Sequence, residues 1–353
     1  MVVVHESMVR ESTSGPLRRR NPPCPGGGER VISEFVDSYD RTEPPGRRDF
    51  VRGATRRGLA AGLGVMLAAG ILEPVLRLFP CPISPVRLLF SFAEDERGYA
   101  LRPNAEVVFS GVLERLSPPV HWGINSQGLR ESKIVSETAA SGQHRVAVYG
   151  DSEAFGWSVE IEDTFEKQMA RMDPSLDVLN FGVPGYSVEN VVAHVRQTAP
   201  RFHPDHILYL IHPNDLEPPL SFLGGALIHS ELARRLAYTY HRIRGTGINT
   251  AVRGRADRIA TFQHSLRALA ETCRGLNVSC SLWFGDAGQM ELLQEDQDLR
   301  SYFLDENAPR AFDVSWIYTN RPLRDEHLPP ETHRELAGFC LSRIPPREAH
   351  TLR

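Results

Sequence analysis

The sequence predicts an α/β protein, a three-layer α/β/α sandwich on a mainly parallel five-stranded sheet. Three observations carry this. From about residue 145, short β-branched runs alternate with helical patterns, turn or cap signals mark the junctions, and the residues with chemical potential fall directly after the strand runs. Such alternation implies right-handed crossovers, a parallel sheet and helices on both faces.

Residues 145–149 read as a first strand that ends at Gly150. Asp163 and Glu166 have the spacing of a helix cap, opening a helix with Phe165, Met169 and Met172 on one face. Residues 177–180 form the second strand. Ser187 then caps a helix with Val188, Val191, Val192 and Val195 inward, and 206–211 is the third strand. A helix over about 257–273, with Ile259, Phe262, Leu266, Leu269 and Cys273 on one face, is expected to stop at Gly275. Residues 278–284 and 314–318 are the fourth and fifth strands, and 331–344 is the closing helix.

The 353 residues are 41% hydrophobic and 24% charged, enough to bury a sizeable core, and the net charge of −4 gives no global basic field to draw in nucleic acid. The five cysteines, Cys24, Cys81, Cys273, Cys280 and Cys340, lack zinc-site spacing and read mostly as packing residues; a Cys273–Cys280 disulfide stays open if the domain is exported.

Residues 1–55 are rich in Pro, Gly, Ser and Arg without apolar period, and are expected to be disordered or to precede the true start. In 56–79, Arg56-Arg57 precede an unbroken small and apolar run over 58–72. Fifteen residues cover only about 22 Å of the ~30 Å hydrocarbon core, so the stretch to Phe79 must contribute and Arg77 must snorkel. The one-sided basic flank predicts a signal-anchor with the N-terminus in the cytoplasm and the rest of the chain extracytoplasmic, or secreted if cleavage follows Ala68-Ala69-Gly70. Residues 80–140 are expected to be a linker and accessory part, and 141–347 the main α/β domain. Within it, 216–256 form an insertion whose helix, about 230–243, puts Leu232, Leu236, Tyr240 and Ile243 on one face and Arg234, Arg235 and Arg242 elsewhere. It reads as a lid or pocket wall, or as a solvated basic face.

Open parallel sheets place their sites at the carboxyl ends of the strands. There stand Gly150-Asp151-Ser152-Glu153-Ala154-Phe155-Gly156, then 180–185 ending in Pro184-Gly185, then Pro213-Asn214-Asp215, and last Asp325-Glu326-His327. A serine hydroxyl needs a base to become a nucleophile, and an imidazole with a pKa near ~6.5 suits neutral pH. Gly150 and Gly156 do not make a dinucleotide fingerprint. His327, His333 and Asp325 do not have the helical spacing of metal ligands, so no metal and no cofactor is expected; His203, His206 and His212 read as surface or packing residues.

These four blocks, in order over roughly residues 120–345, resemble the SGNH or GDSL hydrolases, whose frame is flavodoxin-like. The resemblance implies that Ser152 is the nucleophile, His327 the general base and Asp325 its orienting acid, with the Ser152 and Gly185 N–H groups and the Asn214 amide as oxyanion hole. Asp151 would support the loop. The chain departs from that pattern at His212-Pro213, where glycine is usual, and in the two-residue step from Asp325 to His327. Residues 121–130, with a Ser126-Gln127-Gly128 turn, resemble a segment of membrane-anchored members and would line the substrate groove or pack as an edge hairpin. The implied activity is hydrolysis of an acyl ester, with acetyl as a candidate acyl group, of a carbohydrate or lipid through an acyl-serine. Alternatives are O-acyl transfer on the same triad and a catalytically silent glycan-binding module.

Overall fold

In the computed structural model, residues 47–79, 86–111, 116, 118–217, 230–233, 235, 236, 239, 255–306, 308–319 and 322–345 are described. The expectations for residues 1–46, for Cys24 and Cys81, and for most of the 216–256 insertion, including Arg234, Tyr240, Arg242 and Ile243, lie outside these. By contacts the chain divides into 1–65 and 66–353. In the first unit the described residues belong to one helix, α1 (Arg47–Arg77), which continues into the second.

Within 66–353 a short α2 (Val86–Leu89) precedes two antiparallel pairs: β1 (Phe90–Phe92) with β2 (Tyr99–Leu101), and β3 (Glu106–Phe109) with β4 (Val120–Gly123). The main sheet holds β5 (His144–Gly150), β6 (Leu176–Gly182), β7 (His206–Ile211), β8 (Ser279–Phe284) and β9 (Ala311–Asp313). Its order is β6-β5-β7-β8-β9 with every pair parallel, the doubly wound flavodoxin-like order. The helices are α3 (Ser152–Phe155), α4 (Phe165–Met172), α5 (Val188–Phe202), α6 (Arg255–Leu276), α7 (Ala287–Glu291), α8 (Gln297–Phe303) and α9 (Pro330–Leu341).

Alternate strand residues feed two cores. Tyr149, Phe181, Ile207 and Leu282 pack with Val191 and Val195 of α5 and Phe262 and Leu266 of α6. Val148, Val178, Leu208 and Trp283 pack with Phe165 and Met169 of α4 and Leu336 and Cys340 of α9. A strand buried on both faces reads as a continuous apolar run, as 206–211 does. The three-layer sandwich follows.

Several local expectations are corrected. The last strand is 311–313, and Ser315–Tyr318 is a 3₁₀ turn. Val314 still donates to the Phe284 carbonyl, but Asp313 Oδ1 then takes the Ser315 N–H at 2.8 Å and bends the chain out of the sheet. The α4 cap is Thr164 instead of Asp163, which sits in a preceding 3₁₀ turn, and Met172 is 42% exposed at the end of that helix. Gly275 lies inside α6, and Asn277 supplies the left-handed residue (φ 54°) that ends it. The closing helix runs over Pro330–Leu341, three residues short of 344. Cys273, Cys280 and Cys340 are buried free thiols, so the open Cys273–Cys280 bridge is not made here.

Candidate active site

β5 ends in Gly150, and Asp151 caps α3 by accepting the Glu153 N–H at 3.0 Å through Oδ1. This turn sets Ser152 at the first helical position above the carboxyl edge of the sheet. The loop between β9 and α9 brings the histidine to it: His327 Nε2 lies 2.8 Å from Ser152 Oγ. That loop is a tight reversal in which Arg324 and His327 exchange main-chain hydrogen bonds. Asp325 and Glu326, at its tip, both take left-handed conformations (φ 50° and 69°), a strain seen in non-glycine residues mainly where surrounding contacts impose it.

Those contacts come from the segment that follows Ser152. Glu153 Oε2 accepts the Leu328 N–H at 3.3 Å, and Ser158 Oγ donates to the Leu328 carbonyl at 2.5 Å. Trp157 stacks on the His327 ring, with centroids 5.5 Å apart, and its indole N–H donates to Asp325 Oδ2 at 3.1 Å. His327 Nδ1–H in turn meets the main-chain carbonyl of Asp325 at 2.7 Å. The acidic residue expected to orient the imidazole therefore holds it through its backbone, while its carboxylate engages tryptophan. With Nδ1 holding a proton against a carbonyl, Nε2 is left as the acceptor facing the serine hydroxyl.

Burial drives the His327 pKa below the ordinary imidazole value, against the opposing pull of the Asp325 carbonyl and the Asp151 carboxylate. Burial, then the Asp151 charge, pushes Glu153 and Asp215 well above the usual carboxylate range.

Asn214 sits in a 3₁₀ turn (Pro213–Leu216) directly after β7. The turn is pinned from below by Asp215, which takes the Tyr209 hydroxyl through Oδ1 and the His212 N–H at 2.6 Å through Oδ2. Gly185, with φ 80°, closes a turn that a side chain would strain. Its neighbour Pro184 offers its carbonyl to the Tyr99 hydroxyl at 3.0 Å, and Tyr186 returns its own hydroxyl to the Tyr99 carbonyl at 2.6 Å. The β1–β2 pair thus braces this loop. Among the described residues the N–H groups of Ser152 and Gly185 and the Asn214 Nδ2 have no protein acceptor.

Of the residues singled out in the sequence, Ser152, His327 and Asp325 converge, and Gly185 and Asn214 follow the two strands that flank β5. Others were missed. His212, read as surface or packing, lies with Nδ1 3.0 Å from Asn214 Oδ1 and 3.6 Å from Asp151 Oδ2. Trp157 gave no signal beyond standing next to Gly156. Arg130, in the segment expected to line a groove or form an edge, is buried: it donates to the carbonyls of Phe155, at 2.6 Å, and Gly156 from Nη1 and Val159 from Nη2, packing over the Phe155 ring. Burial lowers its pKa to about 10. It braces the segment that follows Ser152. His333 is buried on Phe165 and accepts that residue's N–H at 3.2 Å.

No family model matches the chain, and no curated protein does. Solved structures do. A member of the lipolytic protein G-D-S-L family from Veillonella parvula is 13% identical (56% of this chain, 97% of that one, TM-score 0.36). The psychrotrophic esterase EstA from Pseudoalteromonas sp. is 11% identical (57% and 97%, TM-score 0.35). A GDSL-like lipase from Bacteroides thetaiotaomicron is 9% identical (59% and 90%, TM-score 0.38). The solved chains it resembles are thus esterases and GDSL lipolytic proteins, and the strand order above rests on this chain's own ladders.

Proposed function

We propose that this chain is a serine esterase of the SGNH/GDSL type that hydrolyses an acyl ester of a carbohydrate or lipid. The observation that carries the reading is the 2.8 Å approach of His327 Nε2 to Ser152 Oγ, with Nδ1 held by a carbonyl. His327 takes the hydroxyl proton as Ser152 Oγ bonds to the ester carbonyl carbon. The oxyanion that forms is met by the Ser152 and Gly185 N–H groups and the Asn214 amide, and each such donor is worth about 3 kcal/mol in the transition state. Collapse breaks the bond to the alcohol, which leaves with the proton from His327. Water, deprotonated by the same nitrogen, then bonds to the acyl carbon; the acyl–Oγ bond breaks, the acid leaves, and His327 returns that proton to Ser152 Oγ.

The test is covalent. A fluorophosphonate probe is expected to add once per chain, on Ser152, as read by peptide mass spectrometry, and Ser152→Ala is expected to abolish the adduct. A folded protein that takes no adduct, or takes it elsewhere, overturns the reading. A panel of acetyl and longer-chain esters of sugars and glycerol then reads out the substrate class.

The pH profile has a stated sign. Only neutral His327 can accept the proton, and burial lowers its pKa, so kcat/KM should persist as pH falls through about 6.5 and decline below it. An acid limb centred well above the free imidazole value would remove His327 as the base.

α1 contains a stretch, Gly58–Arg77, long and apolar enough to cross a membrane. We read it as an anchor that leaves the catalytic unit outside the cytoplasm. The full chain should stay with membranes in alkaline carbonate, and protease added to intact cells stripped of any outer barrier should digest the catalytic unit. Release by carbonate, or protection from protease, contradicts the anchor or its orientation respectively.

A further inference from the structure

The residue before the oxyanion-hole turn is a histidine where the resemblance leads one to expect glycine, and the esterase reading leaves it without a task. His212 Nδ1 faces two oxygen atoms at once, Asn214 Oδ1 at 3.0 Å and Asp151 Oδ2 at 3.6 Å. Asp151 is fully buried, its other oxygen is committed to the Glu153 N–H, and Oδ2 lies 3.5 Å from Ser152 Oγ. A carboxylate and an amide oxygen only accept. The Asp215 main-chain N–H, which also faces the His212 side chain, is taken by the His212 carbonyl at 2.9 Å, so a nitrogen set between two acceptor oxygens is the one that carries the ring proton.

The ring itself is held. Its main-chain N–H is fixed by Asp215 and its carbonyl takes the Gln289 amide at 3.4 Å, while Tyr318 packs edge-on against the imidazole at 5.5 Å. A side-chain amide has two near-equivalent orientations that exchange its oxygen and its NH₂. Only one of them presents a donor to an oxyanion; the other presents a lone pair.

We propose that His212 is a positioning residue for the oxyanion hole: its Nδ1–H, oriented by the buried Asp151 carboxylate, captures Asn214 Oδ1 and so turns the Asn214 Nδ2 towards the reacting carbonyl. This rests on the esterase reading for its catalytic consequence but not for its geometry. The arrangement couples the hole to the turn that carries the nucleophile, because Asp151 both caps α3 and orients His212.

The experiment has two arms on the full chain in detergent. In the first, turnover of p-nitrophenyl acetate is measured for a double-mutant cycle. His212→Phe keeps the ring and its Tyr318 contact, and should lower kcat about 10- to 100-fold with KM within about twofold, less than outright loss of a donor at 10²–10³-fold. In an Asn214→Ala background the same change should do nothing more, and His212→Asn, which returns an N–H near the Nδ1 position, should recover most of the loss. Losses that multiply in the double variant overturn the proposal, since His212 would then act otherwise than through Asn214. In the second arm, ¹⁵N-histidine labelling and two-bond ¹H–¹⁵N spectra, assigned with His212→Phe, read the tautomer above pH 8. A protonated Nδ1 is expected; an Nε2–H tautomer overturns the proposal whether or not the protein turns over ester. Absent turnover in the wild type with a protonated Nδ1 would instead count against the esterase reading alone.

Discussion

Replacing His327 with alanine is expected to lower kcat about 10⁴-fold or more, with Ser152→Ala doing the same and the double variant little worse than either. The reason is mutual dependence. On the proposed mechanism the Ser152 hydroxyl becomes a useful nucleophile only when Nε2, 2.8 Å away, removes its proton, so a site without either partner would retain only what the proposed oxyanion donors supply. The fold should tolerate both changes, because the loop around His327 is held by the main chain of Leu328 and by the Arg324–His327 backbone pair, neither of which needs the imidazole. Thermal melting of the variants checks that point. Residual turnover above about 1% in His327→Ala, with an unchanged melting curve, would mean that another group serves as base.

Gly182→Ala is expected to be the most damaging small substitution in the sheet, destabilising by roughly 3 kcal/mol or more and abolishing labelling of Ser152 with it. Gly182 ends β6 with an ordinary backbone conformation, so the cost does not come from φ. A Cβ there would lie 2.2 Å from the Phe155 N and 2.5 Å from the Ala154 carbonyl carbon, and both are backbone atoms of α3, the helix that begins at Ser152. Such atoms cannot rotate away; the helix must lift off the sheet and carry Ser152 with it. Urea midpoints read the loss. Gly275→Ala is the control: nothing lies within 4 Å of its Cβ position, it sits within α6, and alanine there should stabilise by up to about 1 kcal/mol. Equal midpoints for Gly182→Ala and wild type would show that α3 does not press on β6 as described.

Each of the first four strands could be read where the sequence set it, to within a residue or two, because a strand buried on both faces is a continuous apolar run and each run here is bounded by Gly, Asp or Asn. The fifth could not. Residues 314–318 have strand composition, yet one side-chain hydrogen bond from Asp313 to the Ser315 N–H diverts them into a 3₁₀ turn, and composition does not report such competition. The cap of α4 failed for a similar reason: Asp163 has the right type and spacing, but the preceding 3₁₀ turn consumes it.

That Ser152, His327 and the two further loops gather on one edge was legible from residue type and position at strand ends, since parallel-sheet topology dictates that strand ends meet there. By itself the sequence determined the α/β class, the apolar helix near the N-terminus and the identities of Ser152, Gly185, Asn214, Asp325 and His327 as the residues to watch. Only the tertiary structure decided how those residues are held: that Asp325 grips His327 through its carbonyl while Trp157 takes its carboxylate, that Arg130 is buried beneath the segment after Ser152, and that His212 stands between Asp151 and Asn214. The physical reason is that hydrogen-bond partners far apart in the chain are chosen by distance and angle in the folded state, and a one-dimensional pattern records which groups exist but not which of them come within 3 Å of each other.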